Sequence, residues 1–73
     1  MWEIIDSKSM LSGLKRGQEI ALRRDGEYIK FYISSIQSDG TDYVMLRRAD
    51  GASGIKFLPI EKLLDGNWFL QPS

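Results

Sequence analysis

The chain has 73 residues, 42% of them hydrophobic and 11% aromatic, which suits one small folded domain near the lower limit for a self-sufficient core and excludes a disordered chain. It has no cysteine and no histidine, excluding a disulfide framework, the usual zinc sites and every histidine-based triad. Ten basic and ten acidic residues cancel, which argues against the broad positive field of a nonspecific nucleic-acid binder.

The opening MWEII is followed by Asp6 and is too short for a signal h-region; no later apolar run approaches the ~20 residues of a membrane span. Both features predict a cytoplasmic protein that makes no membrane contact. Trp2, Ile4 and Ile5 suit either a short extra strand or a hydrophobic flap. Asp6 or Ser7 is placed to cap a helix of at most two turns, with Met10, Leu11 and Leu14 on one face, Lys15 and Arg16 in the last turn and Gly17 as the stop.

Four Asp-Gly dipeptides follow, at Asp25-Gly26, Asp39-Gly40, Asp50-Gly51 and Asp65-Gly66. Aspartate tolerates a left-handed backbone and glycine adopts it freely, so each is a strong turn signal. Between them lie β-branched and aromatic segments at residues 18–24, 27–37, 42–48, 54–59 and 67–71. Short strands at this spacing indicate a small all-β barrel or sandwich.

Register can be worked out from the first turn. If Asp25-Gly26 is a two-residue loop, Arg24 meets Glu27, Arg23 meets Tyr28, Leu22 meets Ile29 and Ile20 meets Phe31. A one-residue slip would mix apolar with charged positions. Pairing both Ile33 with Leu46 and Ile36 with Val44 requires a bulge at Ser34-Ser35, which bends the strand. The expected core is Ile20, Leu22, Ile29, Phe31, Ile33, Ile36, Val44, Leu46, Ile55 and Phe57 with the helical leucines. Residues 59–66, PIEKLLDG, read as one helical turn with Leu63 and Leu64 inward and Gly66 as its stop.

The segments LSGLKRGQEIALRRDG, YIKFYISSIQSDGTDYVML and GIKFLPIEKL, spanning about Met10 to Leu64, resemble the SH3-like small barrels, and within them the Sm-like branch of LSm, Hfq-type and Rof-type proteins. The resemblance implies a mainly β fold: a five-stranded barrel with a short N-terminal helix, a strongly bent second strand and one helical turn before the last strand. It does not carry over an RNA site. Where Hfq-type proteins have a lysine-histidine pair this chain reads Lys56-Phe57-Leu58, and where LSm proteins have Asp and Asn it reads SDGTD. A shared fold alone does not establish a function.

The paired arginines, Arg23-Arg24 and Arg47-Arg48, divide between faces because adjacent strand residues alternate. Arg23 and Arg47 are expected outward, while Arg24 and Arg48 reach the rim, beside Asp25 and Asp50. That favours a structural role for the rim pair over a four-arginine phosphate clamp. The outward row Glu19, Tyr32, Arg47, with Arg23 beside Tyr28 and Lys30 beside Ala21, interleaves aromatics with cations. Such a face stacks bases or anchors a protein; plain cross-strand shielding of the sheet accounts for it equally well.

The partner-binding candidates are therefore Arg23, Tyr28, Lys30, Tyr32, Arg47 and Trp68. Trp2 and Trp68 are also placed to seal the chain ends by pairing the first and last segments. Leu58, out of phase with Phe57, reads either as a surface for ring or dimer assembly or as a residue buried under the helix.

Catalysis has little support. Asp39 and Asp42 lie in a turn, the loop DGASG lacks the lysine and hydroxyl of a P-loop, and the single Ser-x-x-Lys spacing is Ser12–Lys15. The expectation is a non-enzymatic protein-interaction module, an adaptor, regulator or inhibitor, without catalytic residues, cofactor or metal. The alternative is an Sm-like binder of RNA or single-stranded nucleic acid. Homo-oligomerisation stays open, since small domains without staples gain stability that way.

Overall fold

A computed structural model describes residues 1–38 and 42–71. Six strands form one antiparallel sheet: β1 (Glu3–Ile4), β2 (Glu19–Arg24), β3 (Glu27–Ser38), β4 (Asp42–Arg48), β5 (Ile55–Pro59) and β6 (Trp68–Leu70), in the order β1-β6-β2-β3-β4-β5. The fold is mainly β, as expected, with one strand more than the five anticipated. Among the described residues no pairing joins the outer strands β1 and β5, so the sheet is open. The Asp39-Gly40 turn lies outside the described residues.

The β2–β3 hairpin has the deduced register, from Arg24–Glu27 to Glu19–Tyr32. Asp25 at φ 53° and Gly26 at φ 78° both hold left-handed backbone, the requirement of the two-residue turn whose twist matches the strands. Between β3 and β4, Ile33 pairs with Leu46 and Ile36 with Val44, with a register shift between Ile33 and Ser35. This is the expected bulge.

Its counterpart on the other side of β3 was not foreseen. Gly17 N–H donates to Ile33 O (2.7 Å) while Ile33 N–H donates to Gln18 O (2.9 Å), so two residues address one. With Gly17 at φ 90°, this is a glycine bulge. Gly17 is therefore no helix stop. Helix α1 (Lys8–Ser12) ends at Gly13 and has no basic residue in its last turn, which places Lys15 and Arg16 beyond it. At its start the Ser7 hydroxyl accepts from Met10 N–H at 3.4 Å, one of the two caps anticipated.

Ile20, Leu22, Phe31, Ile33, Val44, Leu46 and Trp68 supply the sheet's share of the core; Ile5, Leu11, Leu14 and Leu63 cover it. Ile29 and Ile36 pack against it half-buried. Leu63 lies on the 3₁₀ turn Ile60–Leu64 that precedes β6, with Pro59 in its cap position.

Two expected core members are not there. Ile55 is 52% and Phe57 50% exposed. They pair with Arg47 and Met45, whereas Lys56 and Leu58 lie opposite Leu46 and Val44. Paired residues share a face, so Lys56 and Leu58 point inward and Leu58 joins the core margin half-buried. The strand is one residue out of the expected phase, which moves its whole outward set.

Leu46→Ala should cost about 2–5 kcal/mol, whereas Phe57→Ala in dilute solution should cost about 1 kcal/mol or less. Urea denaturation of the two variants measures the contrast; equal losses would return Phe57 to the interior.

Candidate functional site

The face of the sheet turned away from the core holds five of the six candidates. Glu19, Tyr32 and Arg47 form one cross-strand row, Arg23 pairs with Tyr28 and Ala21 with Lys30. Tyr28 and Tyr32 are 39% and 40% exposed, and Arg23, Lys30 and Arg47 are exposed. The Arg23 guanidinium lies 5.9 Å from the centre of the Tyr28 ring, within reach of a cation–π attraction.

Trp68 is a correction. It is 4% exposed, opposite Leu22, with its ring 5.9 Å from Phe31. Pairing with Leu22 commits it to the inner face, where it serves the core. Its neighbour Phe69, opposite Ala21 and Ile4, takes the outer position instead. The chain ends do meet, since β1 pairs with β6. Trp2, however, stacks on Tyr28 (5.8 Å between ring centres, 18° between planes), and the Tyr28 and Phe69 rings meet in a T-shaped pair with centres 5.3 Å apart. Ala21, opposite Lys30 and Phe69, has no exposed surface despite its outward direction.

A second aromatic group occupies the other end of the face. Tyr43 and Phe57 stack at 4.9 Å with 5° between planes, and Met45 and Ile55 flank Phe57. Between the two groups runs the polar strip of Glu19, Lys30, Tyr32 and Arg47. The signal for the second group was present in β4: with Val44 and Leu46 inward, Tyr43 and Met45 must face out. An apolar outward partner on β5 then matches them better than Lys56 does.

The rim arginines behave as anticipated in one case. Arg48 reaches over the Phe31 ring at 5.9 Å and pairs through Nη2 with Asp50 Oδ2. Its Nε is buried without a hydrogen-bond partner among the described residues. Arg24 is exposed, and among the described residues it makes no ion pair with Asp25. The loop 49–54 is held locally: Asp50 Oδ1 accepts from Ala52 N–H at 3.0 Å, and Gly54 has φ 134°.

Beside that loop, Tyr32, Arg47, Arg48 and residues 51–55 line an open depression of about 390 Å³. Another of about 290 Å³ lies between α1 and the 3₁₀ turn, lined by Lys8, Ser12, Asp42 and Glu61 among others. The Ser12 hydroxyl there donates to Ser9 O at 2.9 Å, and among the described residues no hydrogen bond joins it to Lys15. No group of three or more metal-ligating side chains clusters among the described residues. None of their helices is long and apolar enough to cross a membrane. No family model, curated protein or solved structure matches the chain.

The Arg48 hydrogen bond, then the Ala52 N–H, hold the Asp50 carboxyl below its ordinary value of 3.8. The depressed folded-state value means that ionised Asp50 secures the loop above pH 3.8 and that this support disappears as pH falls through the folded-state pKa. Arg48→Gln should return the Asp50 titration toward its ordinary value. An NMR titration of the side-chain carboxyl carbon reads this directly, and an unchanged midpoint would remove Arg48 as the main cause.

Proposed function

We propose that the chain is a non-enzymatic protein-interaction module that engages a macromolecular partner through the outer sheet face, on a sheet curled into an SH3-like, Sm-like small barrel. Support for the curl comes from the two bulges that meet at Ile33 and bend β3 between its neighbours. Support for the function comes from one observation above all. Tyr28, Tyr32, Ile55 and Phe57, each at least 39% exposed, share a single face with Arg23 and Arg47. Exposed aromatics and arginine set in a contiguous patch are the residue types that dominate protein interfaces.

Charge favours a protein over nucleic acid. The face carries Arg23, Lys30 and Arg47 against Glu19, and the chain as a whole is neutral; a phosphate-tracking groove needs a stronger positive surplus. The nucleic-acid reading is supported by the exposed tyrosines alone, since any base can stack on such rings.

Immobilised chain should capture a protein from native lysate, and nuclease should leave the capture intact. Tyr32→Ala and Arg47→Glu should each weaken it by about tenfold or more, as removal of an interface anchor does; Lys62→Ala, on the exposed 3₁₀ turn, should not. Capture unaffected by both face substitutions would remove the surface. Capture abolished by nuclease, with log affinity falling steeply against log salt, would assign the face to nucleic acid.

A further inference from the structure

The backbone edge of β5 defines a second surface, which adjoins the face just described at Ile55 and Phe57. Ala49 N–H donates to Lys30 O at 2.9 Å, which makes Lys30–Ala49 a hydrogen-bonded pair. Alternation along an antiparallel ladder then turns the backbone groups of Arg47 toward β3 and those of Leu46 and Val44 toward β5. Lys56 and Leu58, opposite Leu46 and Val44, therefore bond inward to β4. Pro59 fits this independently: it has no N–H to give and sits opposite Tyr43 at a non-bonded position. What remains on the free side of β5 is the N–H and C=O of Ile55 and Phe57 and the C=O of Pro59. Among the described residues β4 is its only neighbour.

We propose that this edge pairs with the same edge of a second copy about a two-fold axis, antiparallel, with Phe57 opposite Phe57 of the second copy. In that register each Phe57 N–H meets the other Phe57 C=O, and each Ile55 N–H meets the Pro59 C=O of the second copy. Every donor on the edge is satisfied, and only the Ile55 carbonyl, facing the proline, is left to water. A contact that repeats itself under a two-fold closes at two copies.

Proline and inward-pointing charge normally blunt an edge; here they select one register. Centring the axis on Lys56 would set two lysines directly opposite, an unfavourable like-charge pair. Centring it on Leu58 would set each Phe57 carbonyl against proline and push Ile55 beyond the strand, opposite Glu61 on the 3₁₀ turn. With Phe57 at the centre, Lys56 faces Leu58 of the second copy instead. The outer face then carries an unbroken row Met45, Phe57, Phe57, Met45 across the seam, flanked by Ile55 and Pro59, with no like charges in contact. Zero net charge leaves no long-range repulsion between copies.

A chain with no cysteine allows a direct test with single introduced thiols. Sedimentation equilibrium of the full chain should show a mass rising with concentration to about twice 8.4 kDa. Phe57→Glu should hold it at one copy, with backbone amide signals outside β4 and β5 unmoved. On mild oxidation Phe57→Cys should form a covalent dimer, because a bonded antiparallel pair places Cα atoms about 5.5 Å apart, within disulfide reach. Ile55→Cys should cross-link at least tenfold more slowly, its two copies lying about 13 Å apart along the strands. A wild-type mass that stays at one copy up to millimolar concentration would overturn the proposal. So would equal cross-linking rates, or a mass beyond two copies, as pairing of β5 with β1 around a ring would give.

Discussion

The architecture depends on how strand β3 turns at Ile33. A straight strand of twelve residues would carry its side chains out of any core a chain this short can build. At Ile33 the backbone is met by two residues from one neighbour, Gly17 and Gln18, and on the other side by a register shift against β4. Each bulge adds a residue on one side of a ladder and increases local twist. Placed at the same point of β3, they bend it in one step while Ile33 itself stays wholly buried. The shift also restores the parity of the apolar set: Ile33 and Ile36, three apart in sequence, both reach the inner side.

The two faces of the sheet follow from that parity. On the inner face, aliphatic residues with Phe31 and Trp68 pack under α1, the 3₁₀ turn and Ile5, and among the described residues no buried one is charged or polar. Among the described residues no comparable layer lies over the outer face. Its aromatics cover one another instead, Trp2 with Tyr28 and Phe69 at one end and Tyr43 with Phe57 at the other. Ring-on-ring contact shields part of each side chain and leaves the rest in water, so the face keeps apolar area without collapsing.

How far this was legible in the sequence depended on parity. The first hairpin could be worked out because its even and odd positions separate cleanly into Ile20, Leu22, Ile29 and Phe31 against Glu19, Arg23 and Lys30. The bulge could be worked out because no unbulged register places Ile33 with Leu46 and Ile36 with Val44. In IKFLP alternation sets Ile55 and Phe57 against Lys56 and Leu58 and so favours the first pair for the core; the pairing reached through the six-residue loop 49–54 imposes the opposite phase. In Trp68-Phe69-Leu70 both parities are apolar, so alternation does not tell which residue faces the core, and Trp68, named as a binding candidate, is buried there. The Gly17 bulge was hidden by a different route, since a glycine following a basic turn also satisfies helix-stop chemistry. Of the candidate face, the central row was deduced correctly, and the two aromatic groups at its ends were missed with the strand phases that create them.

The two ends of the sheet are unequal, and the inequality has a physical cause. At one end β1 contributes only two residues, Glu3 and Ile4, and a short, charged edge gives an incoming strand little to pair with. At the other end β5 runs for five residues, and its open backbone groups belong to the residues whose side chains face outward, Ile55 and Phe57. On that edge, hydrogen-bonding capacity and exposed apolar surface are offered by the same residues. One pairing event would bury both together, whereas at β1 the two are present only in fragments. An edge with that combination is the place on this chain where association with another strand gains most for the least ordering, because β5 is already held rigid by its ladder to β4.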